Sequence, residues 1–219
     1  MSFNRFEAHY SPDPGFDGDR FRWSASDTRR LLGVEPLGFT DFVGTRAHRS
    51  YNGGLLRFFL PGVSPSLEDW NSTTGWVAEW DHLEGRLAVF ASDWLGRQIA
   101  LDRRRISQGE PLVGILEPGT GQLLEVPQTF ADFLETELVD FKDAALASNF
   151  YDQWIGAGGR RPSPSECVGY RVPLFLNGSD SIENLEITDM SVYVSLCGQL
   201  EQQTRGLAPG TKVGRVKID

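Results

Sequence analysis

Apolar and polar positions alternate most clearly between Leu87 and Leu101. Leu87, Val89 and Ala91 form one run and Gln98–Leu101 another, with a polar turn over Asp93–Gly96 between them. A period of two broken by a glycine turn predicts a β-hairpin, and Gly96 is free to take a backbone angle other residues avoid. Trp94 and Leu95 fall at its tip, where an indole can cap the open end of a core. Leu112–Leu116 and Gln122–Val126 repeat the pattern across Pro118-Gly119-Thr120-Gly121 and predict a second hairpin. That turn lacks the Lys and following helix of a phosphate-binding loop. Leu55–Leu60, entered from Gly53-Gly54 and stopped by Pro61-Gly62, predicts a further strand. So does Tyr170–Leu176, restricted by Pro173 to an edge or a bulge.

After Thr129 the period lengthens. Phe130, Phe133, Leu134, Leu138, Phe141 and Ala145 recur at steps of three and four, which predicts one helix with a continuous apolar stripe. Thr129 and Asp132 stand at the capping-box distance. On this helix Asp132, Glu135, Asp140 and Asp143 face away from the stripe, with Lys142 as the single nearby cation. Asn149–Trp154 extends the helical region. A shorter helix is expected from Ser26 as cap through Arg29–Leu32 to Gly33, and a helical turn at Phe39, Phe42 and Val43. Met190, Val194, Cys197 and Leu200 suggest a closing helix capped by Asp189; Val192, Val194 and Leu196 also alternate, so a strand stays open there. Residues 1–25 read as an extended arm with one strand at Phe21–Trp23, and the last dozen residues as a tail or edge strand. The expected architecture is α+β: one domain over 1–219 with a central, mostly antiparallel sheet of hairpins, helices packed against it, and residues 1–40 as an N-terminal arm.

Composition narrows the function. A chain of 219 residues with 40% apolar and 23% charged residues is ordinary for a soluble globular protein. No apolar run approaches the ~18–20 residues of a membrane span. The N-terminal stretch has no apolar core or cleavage site, so the expected location is cytoplasmic. Cys167 and Cys197 are too few for a disulfide framework or a zinc site. The net charge is −9, and its location matters more than its size. Residues 51–100 carry six acidic against three basic residues and 101–150 nine against four, so this stretch holds −8 of the −9. Such a surface repels phosphate backbones and speeds the approach of a cationic partner. A basic protein partner is expected, and neither nucleic acid nor membrane. The run Arg103-Arg104-Arg105 reads as a solvated turn.

Residues 64–84 concentrate Trp70, Trp76 and Trp80 with five carboxylates and no Lys or Arg. A helix starting near Thr74 would put Trp76 and Trp80 on one face. These rings either cover one side of the sheet or form a partner-facing patch, because Trp dominates interface hot spots. Glu79 and Asp81 would then be its acidic rim. Trp70, Trp76, Glu79, Trp80, Asp81, Asp132, Glu135, Asp140 and Asp143 are therefore the candidate partner-binding residues. No catalytic, cofactor-binding or metal-binding residue is assigned. His9, His48 and His82 are scattered without a second ligand at metal spacing, and no nucleophile elbow or dinucleotide fingerprint occurs. A cluster of His82 with Asp81 and Ser92 is the weakest of the alternatives.

The central hairpin also carries a family resemblance. Phe90-Ala91-Ser92-Asp93-Trp94-Leu95-Gly96-Arg97-Gln98-Ile99-Ala100-Leu101-Asp102 resembles the D-W-L-G-R motif of immunity proteins of the SUKH superfamily (SMI/KNR-like) associated with type VI secretion. Tyr51-Asn52-Gly53-Gly54-Leu55-Leu56-Arg57 is similar to that family's aromatic-Asn-Gly-Gly-Leu-Tyr-Arg segment, with Leu56 where Tyr is usual. Ser165–Leu174 and Gly178–Leu185 resemble its C-terminal block. The resemblance implies a non-enzymatic antitoxin that binds a cognate secreted toxin stoichiometrically, with a nuclease as the candidate effector. A regulatory or housekeeping binding module of the same fold with a non-toxin partner is the alternative.

Overall fold

The computed structural model describes residues 2–15, 22–72, 76–208 and 211. Its centre is a six-stranded antiparallel sheet in which every strand lies beside its sequence neighbours: β1 (Ser50–Tyr51), β2 (Leu56–Phe58), β3 (Leu87–Asp93), β4 (Gln98–Ser107), β5 (Glu110–Glu117) and β6 (Gln122–Thr129). Both expected hairpins are present. β3 pairs with β4 from Leu87↔Asp102 to Ser92↔Gln98, and β5 with β6 from Leu112↔Thr129 to Glu117↔Gln122. A second sheet pairs β7 (Glu166–Tyr170) with β8 (Leu185–Asp189). The fold is α+β.

All seven residues of β3 are buried, so both faces of the sheet are covered there. Phe58 and Phe59, adjacent in sequence, show how. Phe58 faces a cluster with Phe6, Phe42, Tyr51 and Phe90, while Phe59 stacks on Trp70 with ring centroids 4.6 Å apart. The first cluster contains Phe3, Phe6 and Tyr10 of the N-terminal segment, which is therefore no extended arm. It forms α1 (Asn4–His9), and Tyr10 donates its hydroxyl to the Leu138 carbonyl at 2.7 Å. Spacings of three and four between these rings are the helical signal. Of the expected strand at Phe21–Trp23, Phe21 lies outside the described residues, and Trp23 sits in irregular backbone, donating its Nε1 to Thr28.

Other expectations shift. α2 (Ala25–Leu32) is capped by Ser24, whose hydroxyl accepts from the Asp27 amide while the Asp27 carboxylate accepts from the Ser24 amide. This reciprocal box moves the start two residues ahead of Ser26. α3 (Phe39–Asp41) and a π-helical turn over Phe42–Arg46 follow. The strand expected over Leu55–Leu60 is limited to β2. α4 (Leu67–Trp70), capped by Ser66, and 3₁₀ turns at Trp76–Glu79 and Asp81–Leu83 replace the helix expected near Thr74, which itself lies outside the described residues. The strand expected over Tyr170–Leu176 lies earlier, in β7, and Leu174–Leu176 is a 3₁₀ turn after Pro173. Arg103-Arg104-Arg105 belongs to β4 and is no free turn. Arg103 donates to the Leu31 and Leu32 carbonyls that end α2, and Arg105 to the Val113 and Val126 carbonyls.

The largest departure is the helix after Thr129. α5 (Phe130–Asp132), a π-helical turn over Phe133–Glu137, α6 (Leu138–Asp140) and α7 (Lys142–Leu146) succeed one another with a break at Phe141, where φ is −125° and ψ 34°. A π-turn inserts an extra residue per turn, so the apolar phase slips by about one position, ~100°. Phe141, expected inside, is 55% exposed. α8 (Ser148–Gly156) continues the region, and α9 (Met190–Thr204) closes the fold as a helix, its first turn capped where Asp189 accepts from the Val192 amide. Of the expected tail, residues 209–210 and 212–219 lie outside the described residues.

Candidate partner-binding surface

The segment Asp93-Trp94-Leu95-Gly96-Arg97 is a sealed joint. Asp93 Oδ1 accepts from the Leu95 and Arg97 amides at 3.0 and 2.9 Å, and Oδ2 from Arg97 Nε at 2.6 Å. Arg97 passes the link on to the Ala145 carbonyl at the end of α7, at 2.9 Å. Burial works against the Arg97 charge, but the Asp93 carboxylate outweighs it and its pKa is raised. Trp94 Nε1 donates to the Leu146 carbonyl at 3.0 Å, and the Val168 amide of β7 donates to the Trp94 carbonyl at 2.7 Å. Arg57, fully buried, donates to the carbonyls of Asp93, Ser163 and Glu166. These side chains tie the central sheet to α7 and β7. These charged side chains are buried and directed inward, with Arg57 Nε the one buried guanidinium nitrogen without a hydrogen-bond partner among the described residues, so the joint presents no charge to a partner.

Both cysteines are buried and free. Burial pushes the Cys167 thiol well up and the Cys197 thiol to about 12, so neither is a thiolate near neutral pH.

The tryptophans belong to the core, which corrects the reading of residues 64–84 as a partner-facing patch. Trp70, Trp76 and Trp80 are 5%, 6% and 0% exposed. Each Nε1 has an internal acceptor: Gln98 Oε1, the Trp70 carbonyl and the Val194 carbonyl of α9. Trp80 is fixed by α9, where Gly198 leaves room for Glu79 and the indole; a Cβ there would lie 2.7–2.8 Å from them. Of the rim, Asp81 is exposed and paired with Arg205 at 2.9 Å, and Glu79 is half-buried with its carbonyl accepting from Gln202. His82 lies beside Asp81 and Arg205, whereas Ser92 is buried in β3 with no hydrogen-bond partner for its hydroxyl among the described residues. The structure does not bring that trio together.

The acidic residues of 129–146 do not form a single free face either. The break at Phe141 divides them, and each has work inside the protein. Thr129 donates its hydroxyl to Asp132 at 2.9 Å at the head of α5. The Glu135 carboxylate accepts from the Arg5 and Phe6 amides, holding the first turn of α1. Asp140 receives Arg5 Nη2 at 2.5 Å, and that guanidinium holds its carboxyl below the usual range. Asp143 accepts from the Asn149 amide at 2.7 Å at the start of α8. Glu135 is half-buried, and Asp132, Asp140 and Asp143 are exposed.

Asp132 also lines a groove of about 540 Å³. Its walls are the Leu37 loop, the turn between β4 and β5, the end of β6 and the first turn of α5. Glu110 holds this arrangement, its two carboxylate oxygens accepting from the Leu37 amide at 2.9 and 3.2 Å. Sequence reasoning missed Leu37 and Glu110. The available signal was Gln108-Gly109 between Ile106 and Pro111, a tight-turn dipeptide with both residues at positive φ, 51° and 83°.

Residues 125–201, roughly a third of the chain, match the family model described as T6SS immunity protein Tdi1, C-terminal. The match supports a type VI secretion immunity protein. It begins in β6 and ends in α9; the D-W-L-G-R segment lies outside it, and so does the superfamily assignment. In fold the chain is similar to the crystal structure of Atu4351 from Agrobacterium tumefaciens, with a TM-score of 0.52 at 12% identity over 90% of this chain and 89% of that one. No curated protein matches the chain. Among the described residues no helix is long and apolar enough to cross a membrane, and no group of three or more His, Cys, Asp or Glu is placed to hold a metal ion.

Proposed function

We propose that this protein is an immunity protein of a type VI secretion system, which binds a cognate secreted toxin in the cytoplasm of the producing cell and blocks it stoichiometrically. The match of residues 125–201 carries the reading. The charge supports its electrostatic side: −9 overall, with nearly all of the excess between residues 51 and 150. A toxin with a basic substrate-binding face, as a nuclease has, is drawn to such a surface and associates faster at low salt. The protein acts by occupying the toxin, without chemistry of its own. The buried polar groups fit that role, since Asp93, Arg97 and Arg57 are consumed in holding elements together.

The test is co-expression with the toxin encoded beside this gene. Cells should survive toxin induction when this protein is present, and the two should co-purify at one to one. Toxicity undiminished by an excess of this protein, with no complex by size exclusion, overturns the reading.

A further inference from the structure

We propose that the groove between the Leu37 loop, the β4–β5 turn and α5 is where this protein takes a basic segment of its toxin, with an arginine or lysine head between Glu110 and Asp132. The inference rests on the immunity reading and assigns a surface to it.

Three observations converge on this place. The groove sets apolar side chains, Leu37 and Leu112 among them, beside polar ones and two carboxylates, Glu110 and Asp132; no Lys or Arg lines it. Leu37, in its wall, is 61% exposed. An exposed leucine in a concave wall offers the stem of a long basic side chain apolar area to lie on. Two cations of the adjoining elements are paired with carboxylates elsewhere: Arg29 with Glu35 ahead of the loop, and Arg105 of β4 with Glu125.

Other clefts lack this combination. A cleft of about 300 Å³ at Gly53-Gly54 has Arg161 in its wall, and there Asp13 is occupied by the Gly53 and Gly54 amides and the Ser50 hydroxyl. A cleft of about 200 Å³ beside Tyr10 contains Arg46 and His48. Phe141, the exposed ring on the broken helix, has Lys142 next to it.

The chemistry selects the occupant. A long basic side chain lays its methylene stem on apolar surface and keeps its charge at the rim. Glu110 and Asp132 each accept internal hydrogen bonds, but a carboxylate has about four lone-pair sites, so both retain capacity for a cation. Glu110, held by the Leu37 amide, also sets the groove's width before any partner arrives.

Two measurements decide it. The first needs no toxin: a capped Gly-Arg-Gly-Arg-Gly peptide is titrated into the ¹⁵N-labelled protein. Amide shifts should concentrate at Leu37, residues 107–112 and residues 129–132, and disappear in Asp132→Asn. Shifts spread over the surface, or centred on Phe141, overturn the groove. The second measures affinity for the adjacent-gene toxin in its inactivated form. Leu37→Lys and Asp132→Asn should each lose at least tenfold, while Val192→Lys, on the exposed side of α9, should match the unmodified protein. Groove variants that bind as tightly as the unmodified protein overturn the groove and leave the immunity reading standing. An unmodified protein that neither binds nor protects overturns that reading, and the peptide shifts still decide the groove.

Discussion

Two acidic places in this molecule, Asp93 and Asp132, carry the same functional group and play opposite parts. Asp93 is buried, receives three hydrogen bonds from Leu95 and Arg97, and sits under a second guanidinium that grips its own carbonyl. Asp132 is exposed, accepts from the Thr129 hydroxyl at the head of α5, and borders a groove with no cation in its walls. A carboxylate taken out of water demands compensation, and Asp93 draws it from the Arg97 and Arg57 guanidiniums, although burial still raises its pKa. One left in water carries no such demand and keeps its field for a partner. Motif strength and functional exposure therefore point to different parts of this chain. The recognisable D-W-L-G-R segment is its joint, and the groove proposed above lies on residues without a motif.

The comparison breaks most directly at Asp93. Asp93→Asn keeps the shape and removes the charge, leaving Arg97 buried without its counterion. Breaking one side of a buried pair costs about 3–5 kcal/mol, a large part of the 5–15 kcal/mol that typically holds a domain. The expected outcome is a loss of unfolding free energy of that size, read as a lowered urea midpoint, or unfolding outright. Asp132→Asn should leave the midpoint nearly unchanged. Equal midpoints for the two variants would dissolve the contrast.

A middle-sized effect is expected at Gly96. Its φ is +76°, and a Cβ there would lie 2.9 Å from Cys167 Sγ and 3.3 Å from the Tyr193 ring. Gly96→Ala combines backbone strain with overpacking and should cost about 1–3 kcal/mol. Gly85 has a similar φ of +66° and open space around it. Gly85→Ala carries the strain without the clash, so the difference between the two melting temperatures isolates the packing of the hairpin tip against β7 and α9.

Legibility in the sequence divides along the same line. Alternation located both hairpins, because a period of two with a glycine turn has few other solutions. The period of three and four located the helical region after Thr129 but not its break, since the π-turn over Phe133–Glu137 leaves the pattern of apolar letters intact while rotating the residues beyond it. For the tryptophans of 64–84, amid five carboxylates, the sequence left a covering of the sheet and a partner-facing patch both open. Trp70 packs on Phe59 and Trp80 fits where Gly198 on α9, more than a hundred residues away, leaves room, and local patterning does not encode such contacts. The helix of residues 4–9 was readable from Phe3, Phe6 and Tyr10 and was masked by the Pro- and Gly-rich residues after it. The candidate carboxylates were legible as an acidic stretch. Their internal partners, Arg5 above all, were not, because the pairing crosses about 130 residues.

The smallest expected effect lies on the border between joint and surface, at Glu166. Its backbone carbonyl receives buried Arg57, while its side chain, at the surface, pairs with Arg160 at 2.6 Å and accepts from the Ser163 amide at 3.0 Å. The Arg160 hydrogen bond, with help from Ser163, holds the Glu166 carboxyl at about 2, against 4.5 for an ordinary glutamate. A folded-state pKa below the unfolded one adds stability above the unfolded value, and that stability is lost as pH falls through the folded value. The contribution of Glu166 is therefore complete above about 4.5 and disappears towards about 2. Solvent around Arg160 screens the pair, so its worth is about 1 kcal/mol at most, well short of the full linkage value. Glu166→Gln should lower the unfolding free energy from urea titration at pH 7 by that modest amount and converge on the unmodified protein by about pH 2. Should the deficit persist undiminished at low pH, the side chain acts through packing and not through charge. Glu166 would then belong with Asp93 in the sealed joint.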